Sequence, residues 1–166
     1  MARLIVIMGV SGSGKSTLAA ALAEQTGWCC LEADDFHPSE NIRKMAAGEP
    51  LTNDDRRSWI RSMRAAIDAL SDHTVIATCS ALNHTVRGWL TEGLDREVSW
   101  CWLKLDEDTA CERVRFRSGH YMPAALVRSQ FEALEPPAEA WQLDATRPLA
   151  HNLEELNHRL SAPVAV

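Results

Sequence analysis

Residues 9–16 read Gly9-Val10-Ser11-Gly12-Ser13-Gly14-Lys15-Ser16, and the apolar run Leu4-Ile5-Val6-Ile7-Met8 stands directly before them. A short apolar run, a glycine-rich turn and then an Ala/Leu-rich stretch predict a buried strand, a loop and a helix in immediate succession. In that setting the pattern G-x-x-x-x-G-K-[ST] is a phosphate cradle. Glycines let successive backbone N–H groups turn into one concavity, and the helix start adds partial positive charge. Lys15 is placed to reach the β- and γ-phosphates, and the Ser16 hydroxyl to ligate Mg²⁺. Nucleotide binding is therefore expected of Gly9, Val10, Ser11, Gly12, Ser13, Gly14, Lys15, Ser16 and Thr17. The alternative, a glycine turn that holds no ligand, leaves the flanking strand and helix unexplained.

Further β-type apolar runs lie at 28–31, 74–77, 98–103 and, more weakly, 141–143. Helical patterns separate them: 16–24, 52–70, a helix after the third strand, 106–117, one after Pro123 that stops before Pro136-Pro137, and 153–160. Thr52 and Asp55 form a capping-box signature, and Trp59, Ile60, Met63, Ile67 and Leu70 fall on one helical face. Asp106 is placed to cap the helix that follows it. Strands alternating with helices predict an α/β fold with a five-stranded parallel sheet covered on both faces. At 166 residues the chain fits one domain, with 161–166 expected to fray.

In such a sheet, ligands sit beyond the carboxyl ends of the strands. Polar residues gather there. Asp34, Asp35 and His37 follow the second strand, Ser80 the third, and an arginine-rich helix the fourth. A phosphoryl acceptor needs a carboxylate to orient its hydroxyl and take its proton. Asp34 is the first candidate for that task and Asp35 the second, and either could hold Mg²⁺ through water. A turn or capping role before Pro38 is the alternative for the pair.

Composition narrows the partners. The net charge of −6 provides no general basic surface for nucleic acid, although Arg113, Arg115 and Arg117 cluster locally. The five cysteines lack C-x-x-C spacing and sit in or beside apolar runs, which reads as free thiols in a reducing cytoplasm. No stretch reaches the length of a membrane span. The first apolar run ends in the glycine loop, which cleavage as a leader would destroy.

The blocks Met8–Thr17 (MGVSGSGKST), 34–38 (DDFHP), 41–51 (NIRKMAAGEPL), 54–56 (DDR), 79–82 (CSAL) with Arg87, 119–123 (GHYMP) and 129–136 (SQFEALEP) resemble the gluconate kinases. These are small P-loop kinases similar in fold to shikimate and nucleoside monophosphate kinases, with a small lid, here about 113–123. The resemblance implies transfer of the ATP γ-phosphoryl group to the 6-hydroxyl of D-gluconate, with Mg²⁺, in a possible homodimer. It also suggests that Arg56 clamps the sugar-acid carboxylate and that Arg87 lies where related kinases hold the acceptor. His37 and His120 are candidate substrate contacts, and Gly119 a lid hinge. Arg113 and Arg117, four apart on one helical face, would stack on adenine and reach the phosphates. The bland reading of the pair is an exposed basic face at a helix C-terminus, and of Arg56 a surface charge paired with Asp54 or Asp55.

The chain departs from the family pattern at three places. Glu32-Ala33-Asp34-Asp35 stands for Asp-Gly-Asp-Asp, Ser58 for a proline, and Asn83 and Val86 for the Lys and Tyr of CSALK-x-x-YRD. A kinase of another small hydroxylated acid, such as a different aldonate or shikimate, and a non-catalytic ATP-binding switch are the competing readings.

Overall fold

In the computed structural model, residues 1–116 and 123–161 are described. The chain runs β1 (Arg3–Met8), α1 (Lys15–Thr26), β2 (Cys29–Glu32), a 3-10 turn (Ala33–Phe36), α2 (Ser39–Ala46), α3 (Asn53–Asp68) and β3 (Thr74–Thr78). It continues through α4 (His84–Thr91), β4 (Glu97–Lys104), α5 (Glu107–Phe116), α6 (Ala124–Ala133), β5 (Trp141–Asp144) and α7 (Leu149–Ser161). The strands form one parallel sheet in the order β2-β3-β1-β4-β5. The α/β architecture expected from the alternating apolar runs is the one observed.

The chain moves outward from β1 in both directions, so the central strand is buried on both faces. Its alternation divides two cores. Ile7 packs with Leu18, Leu22, Leu103, Val127 and Leu156 on one side. Leu4, Val6 and Met8 pack on the other with Trp59, Ile60 and Met63 of α3 and Leu90 of α4. Each large side chain buried in this way contributes about 1.5–3 kcal/mol. Trp100 and Trp102 both join the second core, as their alternation along β4 requires.

Local signals set the helix starts. Thr52 accepts from Asp55 N while Asp55 Oδ2 accepts from Thr52 N, closing the capping box. Asp106 accepts from Thr109 N and Thr109 Oγ1 at the start of α5. The last helix begins at Leu149, earlier than the apolar spacing suggests, because Pro148 O accepts from His151 N and Asn152 N and opens an extra turn. Two elements are additional to those expected from the sequence, the 3-10 turn and α2. The only buried residue of α2 is Asn41, and its apolar Ile42 is 53% exposed. Its apolar positions Ile42, Met45 and Ala46 share one face, which turns to the cleft and not to the core. Among the described residues no helix is long and apolar enough to cross a membrane.

Candidate active site

The loop between β1 and α1 depends on backbone that only glycine adopts without strain. Gly9 has φ +147°, and a Cβ there would lie 2.9 Å from both Leu103 O and Ser13 Oγ. Gly12 has φ +81°, and its Cβ would meet Ala110 O at 3.1 Å. The loop is thus seated on the end of β4 and the first turns of α5. Within it Ser13 N donates to Val10 O at 3.2 Å, and Lys15 Nζ to the same carbonyl at 3.1 Å.

Three side chains from distant elements brace this loop. Gln130 of α6 accepts from Ser11 N at 2.7 Å and donates to Ser11 Oγ at 3.1 Å. Arg113 of α5 donates to Gly12 O at 3.3 Å and to Ala145 O, just past β5, at 2.9 Å. Glu32, the last residue of β2, accepts from Ser16 Oγ at 2.9 Å and from Thr78 Oγ1 at 2.6 Å through the same oxygen. Sequence reasoning assigned nothing to Gln130 or Glu32. The strand expected at 28–31 ends one residue later, and that places Glu32 beside Thr78 in the parallel register.

On the far side of the loop, the 3-10 turn presents Asp34 and Asp35 past the end of β2. The Asp34 side chain is 91% exposed, whereas His37, three residues on, is 6% exposed. His37 stacks on Trp59, with centroids 4.1 Å apart and planes 15° from parallel, and its Nε2 is 3.9 Å from Asp34 Oδ1. Trp59 is pinned in turn by Nε1–H donation to Ala33 O at 2.6 Å. Burial pushes the His37 imidazole below its ordinary value, Asp34 opposes that shift, and Arg56 adds to it. The net shift favours the neutral ring.

These groups enclose a cavity of about 1010 Å³. Ser11, Gly12, Gly14, Lys15, Ser16 and Thr17 form one wall, with Glu32 and Thr78 at its base. Asp34, Asp35, His37 and Arg56 form the second, Arg113 and Gln130 belong to the third, and Ile42, Met45, Leu51 and Trp59 supply the apolar contact. Gly9, Val10 and Ser13 lie behind the first wall and shape it; Ser13 is 2% exposed.

Several expected residues stand elsewhere than anticipated. Arg87 is buried and does not line the cavity; it donates to Ala81 O at 3.0 Å and Leu82 O at 3.3 Å. Ala81 carries φ +45°, so this guanidinium holds a strained loop whose neighbours Cys79, Ser80 and Leu82 do face the cavity. Arg56 is not paired with Asp54 or Asp55. It donates to Asn53 Oδ1 at 3.2 Å, and Asp55 pairs instead with Lys44 of α2 at 2.6 Å. That bond, with those from Thr52, pushes Asp55 down to about 2. Arg113 is tied to two carbonyls rather than spread over an open base-stacking face. Arg117, Gly119 and His120 lie outside the described residues.

All five cysteines are free thiols. Burial pushes Cys79 and Cys101 up to about 12, which keeps both protonated and suited to packing, not nucleophilic attack. Among the described residues no group of three or more His, Cys, Asp or Glu side chains is arranged to hold a metal.

Arg87 supports a stability prediction. Replacing it with leucine leaves two buried carbonyls without their charged donor, and the expected loss is about 2 kcal/mol in urea unfolding. An unchanged midpoint would show that the loop does not need its brace.

Residues 4–140 match a protein family described as an AAA domain. The thermoresistant gluconokinase of Escherichia coli is 40% identical over 136 residues, which cover 81% of this chain and 77% of that one. The chain belongs to the gluconokinase family. Its fold agrees with two crystal structures. A sugar kinase from a Janibacter species, unliganded, superposes with a TM-score of 0.87 at 41% identity, covering 96% of this chain and 95% of that one. A gluconokinase from Sinorhizobium meliloti superposes with a TM-score of 0.81 at 36% identity, covering 96% and 98%. Membership of this P-loop kinase family implies ATP as the nucleotide.

The departures from the gluconokinase pattern can now be placed. Asn83 caps α4, accepting from Val86 N at 2.9 Å, and Val86 is buried in the core. Neither lines the cavity. Glu32 stands at the base of the phosphate wall, where a carboxylate is retained with one more methylene.

Proposed function

We propose that the protein transfers the γ-phosphoryl group of ATP to the 6-hydroxyl of D-gluconate, giving 6-phosphogluconate and ADP. One observation supports this most directly. A single cavity joins the phosphate loop to an exposed carboxylate, Asp34, with Arg56 and the His37 ring on the same wall. A switch that only binds ATP has no use for an acceptor wall. The placement of Asn83 and Val86 away from the cavity removes the sequence-based reason to prefer another acid.

The work is divided between the walls. The backbone from Gly12 to Ser16 and the Lys15 ammonium neutralise charge on the transferring phosphoryl group, which is where phosphoryl transfer is accelerated. Asp34 orients the acceptor hydroxyl and takes its proton as the new P–O bond forms. Arg56 offers a planar fork to the carboxylate of the sugar acid. Arg113 holds the loop to β5, and Arg117 and His120 remain assigned by sequence to the phosphates and the substrate.

The oxygen-rich donor set around Ser16 fits Mg²⁺, which takes few protein ligands and keeps its waters and phosphate oxygens. Ser16 would ligate it while donating its proton to Glu32, and Asp34 would reach it through water. Bound with the nucleotide, the ion supplies charge neutralisation. The reading is tested by ADP release with ATP·Mg²⁺ against a panel of aldonates, uronates and shikimate. Gluconate should exceed every other acid by at least about tenfold in kcat/KM, the scale of one well-made polar contact. Background release with all of them would sink it.

A further inference from the structure

Asn41, on the face of α2 turned toward α3, has no place in phosphoryl transfer, yet it is 2% exposed. Its side-chain nitrogen lies 2.9 Å from Asp55 O and 3.3 Å from His37 Nδ1. A backbone carbonyl can only accept a hydrogen bond. The atom facing Asp55 O is therefore the NH₂ of the amide. The same NH₂ faces His37, so Nδ1 accepts, and the proton of the neutral ring sits on Nε2.

We propose that Asn41 is a positioning residue that fixes His37 in the Nε2–H tautomer and so makes it a hydrogen-bond donor into the acceptor side of the cavity. The stack on Trp59 fixes the ring plane, and Asn41 fixes which nitrogen carries the proton. At 3.9 Å from Asp34 Oδ1 the Nε2–H has no hydrogen-bond acceptor among the described residues. It is available to an oxygen of the acceptor. A donor here selects hydroxyl or carboxylate oxygens over ammonium groups, and it removes His37 as a competing base. The α2–α3 junction is thereby part of substrate recognition, since Asp55 holds α2 twice, by its carbonyl to Asn41 and its carboxylate to Lys44.

This inference rests on the kinase reading for the identity of the acceptor, but the tautomer itself does not. Long-range ¹H–¹⁵N correlation spectra of the ¹⁵N-histidine-labelled full chain, without substrate, read it directly, with His37 assigned by its absence from H37Q. A pyridine-type Nδ1 and a pyrrole-type Nε2 are expected; the reverse overturns the proposal. In Asn41→Asp the carboxylate accepts where the amide donated, so the proton should move to Nδ1. KM for gluconate should then rise about tenfold, as for one lost hydrogen bond, with KM for ATP unchanged. An unmoved tautomer in a folded N41D, or an equal rise in both KM values, overturns it. Wild-type protein inactive on every acid would overturn the kinase reading and leave the tautomer result standing.

Discussion

Lys15→Ala is expected to lower kcat about a thousandfold with the fold intact. The ammonium reaches the wall of the cavity where the terminal phosphates belong, and its contribution is greatest when charge spreads over the equatorial oxygens of the transferring group. Removing one such preorganised partner costs about 10²–10³ in rate, or roughly 3–4 kcal/mol of barrier. The folded state should barely register the change. The bond from Nζ to Val10 O spans five residues within one loop, and the glycines that shape that loop hold it independently. Thermal unfolding should therefore shift by no more than about 2 °C. A kcat within tenfold of wild type, in protein that still binds ATP, would mean that the loop holds nucleotide for a purpose other than transfer.

The residues of the phosphate wall were legible because the determinants are local. A strand, a glycine turn and a helix start lie within a short stretch, and each leaves its own periodic or compositional mark. The sheet was legible for the same reason, since β1 and β3 are buried runs and β4 carries an apolar one, each bounded by polar turns. The braces were not. Gln130 meets Ser11 across 119 positions and Arg113 meets Gly12 across 101, so nothing near either residue announces the contact. The one-residue extension of β2 is invisible in an apolar count, because Glu32 is polar and pairs with a threonine. Yet it decides what carboxylate stands beside Ser16.

Helix α2 failed for a different reason. Its apolar face, Ile42, Met45 and Ala46, lines the cavity and not the core, and its 8 residues are too short a stretch for that period to stand out as it does over the 16 of α3. Asn41 opens the 41–51 block of the resemblance, and its function depends on a carbonyl from the next helix. Arg87 shows the opposite case. Its position after β3 suggests an acceptor contact, but the buried carbonyls of Ala81 and Leu82 take its guanidinium as their donor. Family position and physical environment disagreed, and the environment determines what a side chain touches.

Asp34→Asn is expected to lower kcat about 10²–10⁴-fold, the range removed with a positioned general base. The substitution keeps the size of the side chain and takes away only its ability to accept the hydroxyl proton. Being 91% exposed within the cleft, the carboxylate holds up nothing in the fold, so the unfolding midpoint should not move. The surrounding groups explain why no neighbour should rescue the rate. His37 presents a donor to this space if its proton sits on Nε2. Glu32 already accepts two hydroxyl protons through one oxygen. Asp35, on the same 3-10 turn and lining the same cavity, offers a second carboxylate. Steady-state rates of D34N, D35N and the double variant separate the two. A large loss in D34N with a small one in D35N assigns the proton to Asp34. A loss under tenfold in D34N, with a large one in D35N, would transfer that role one residue along the turn.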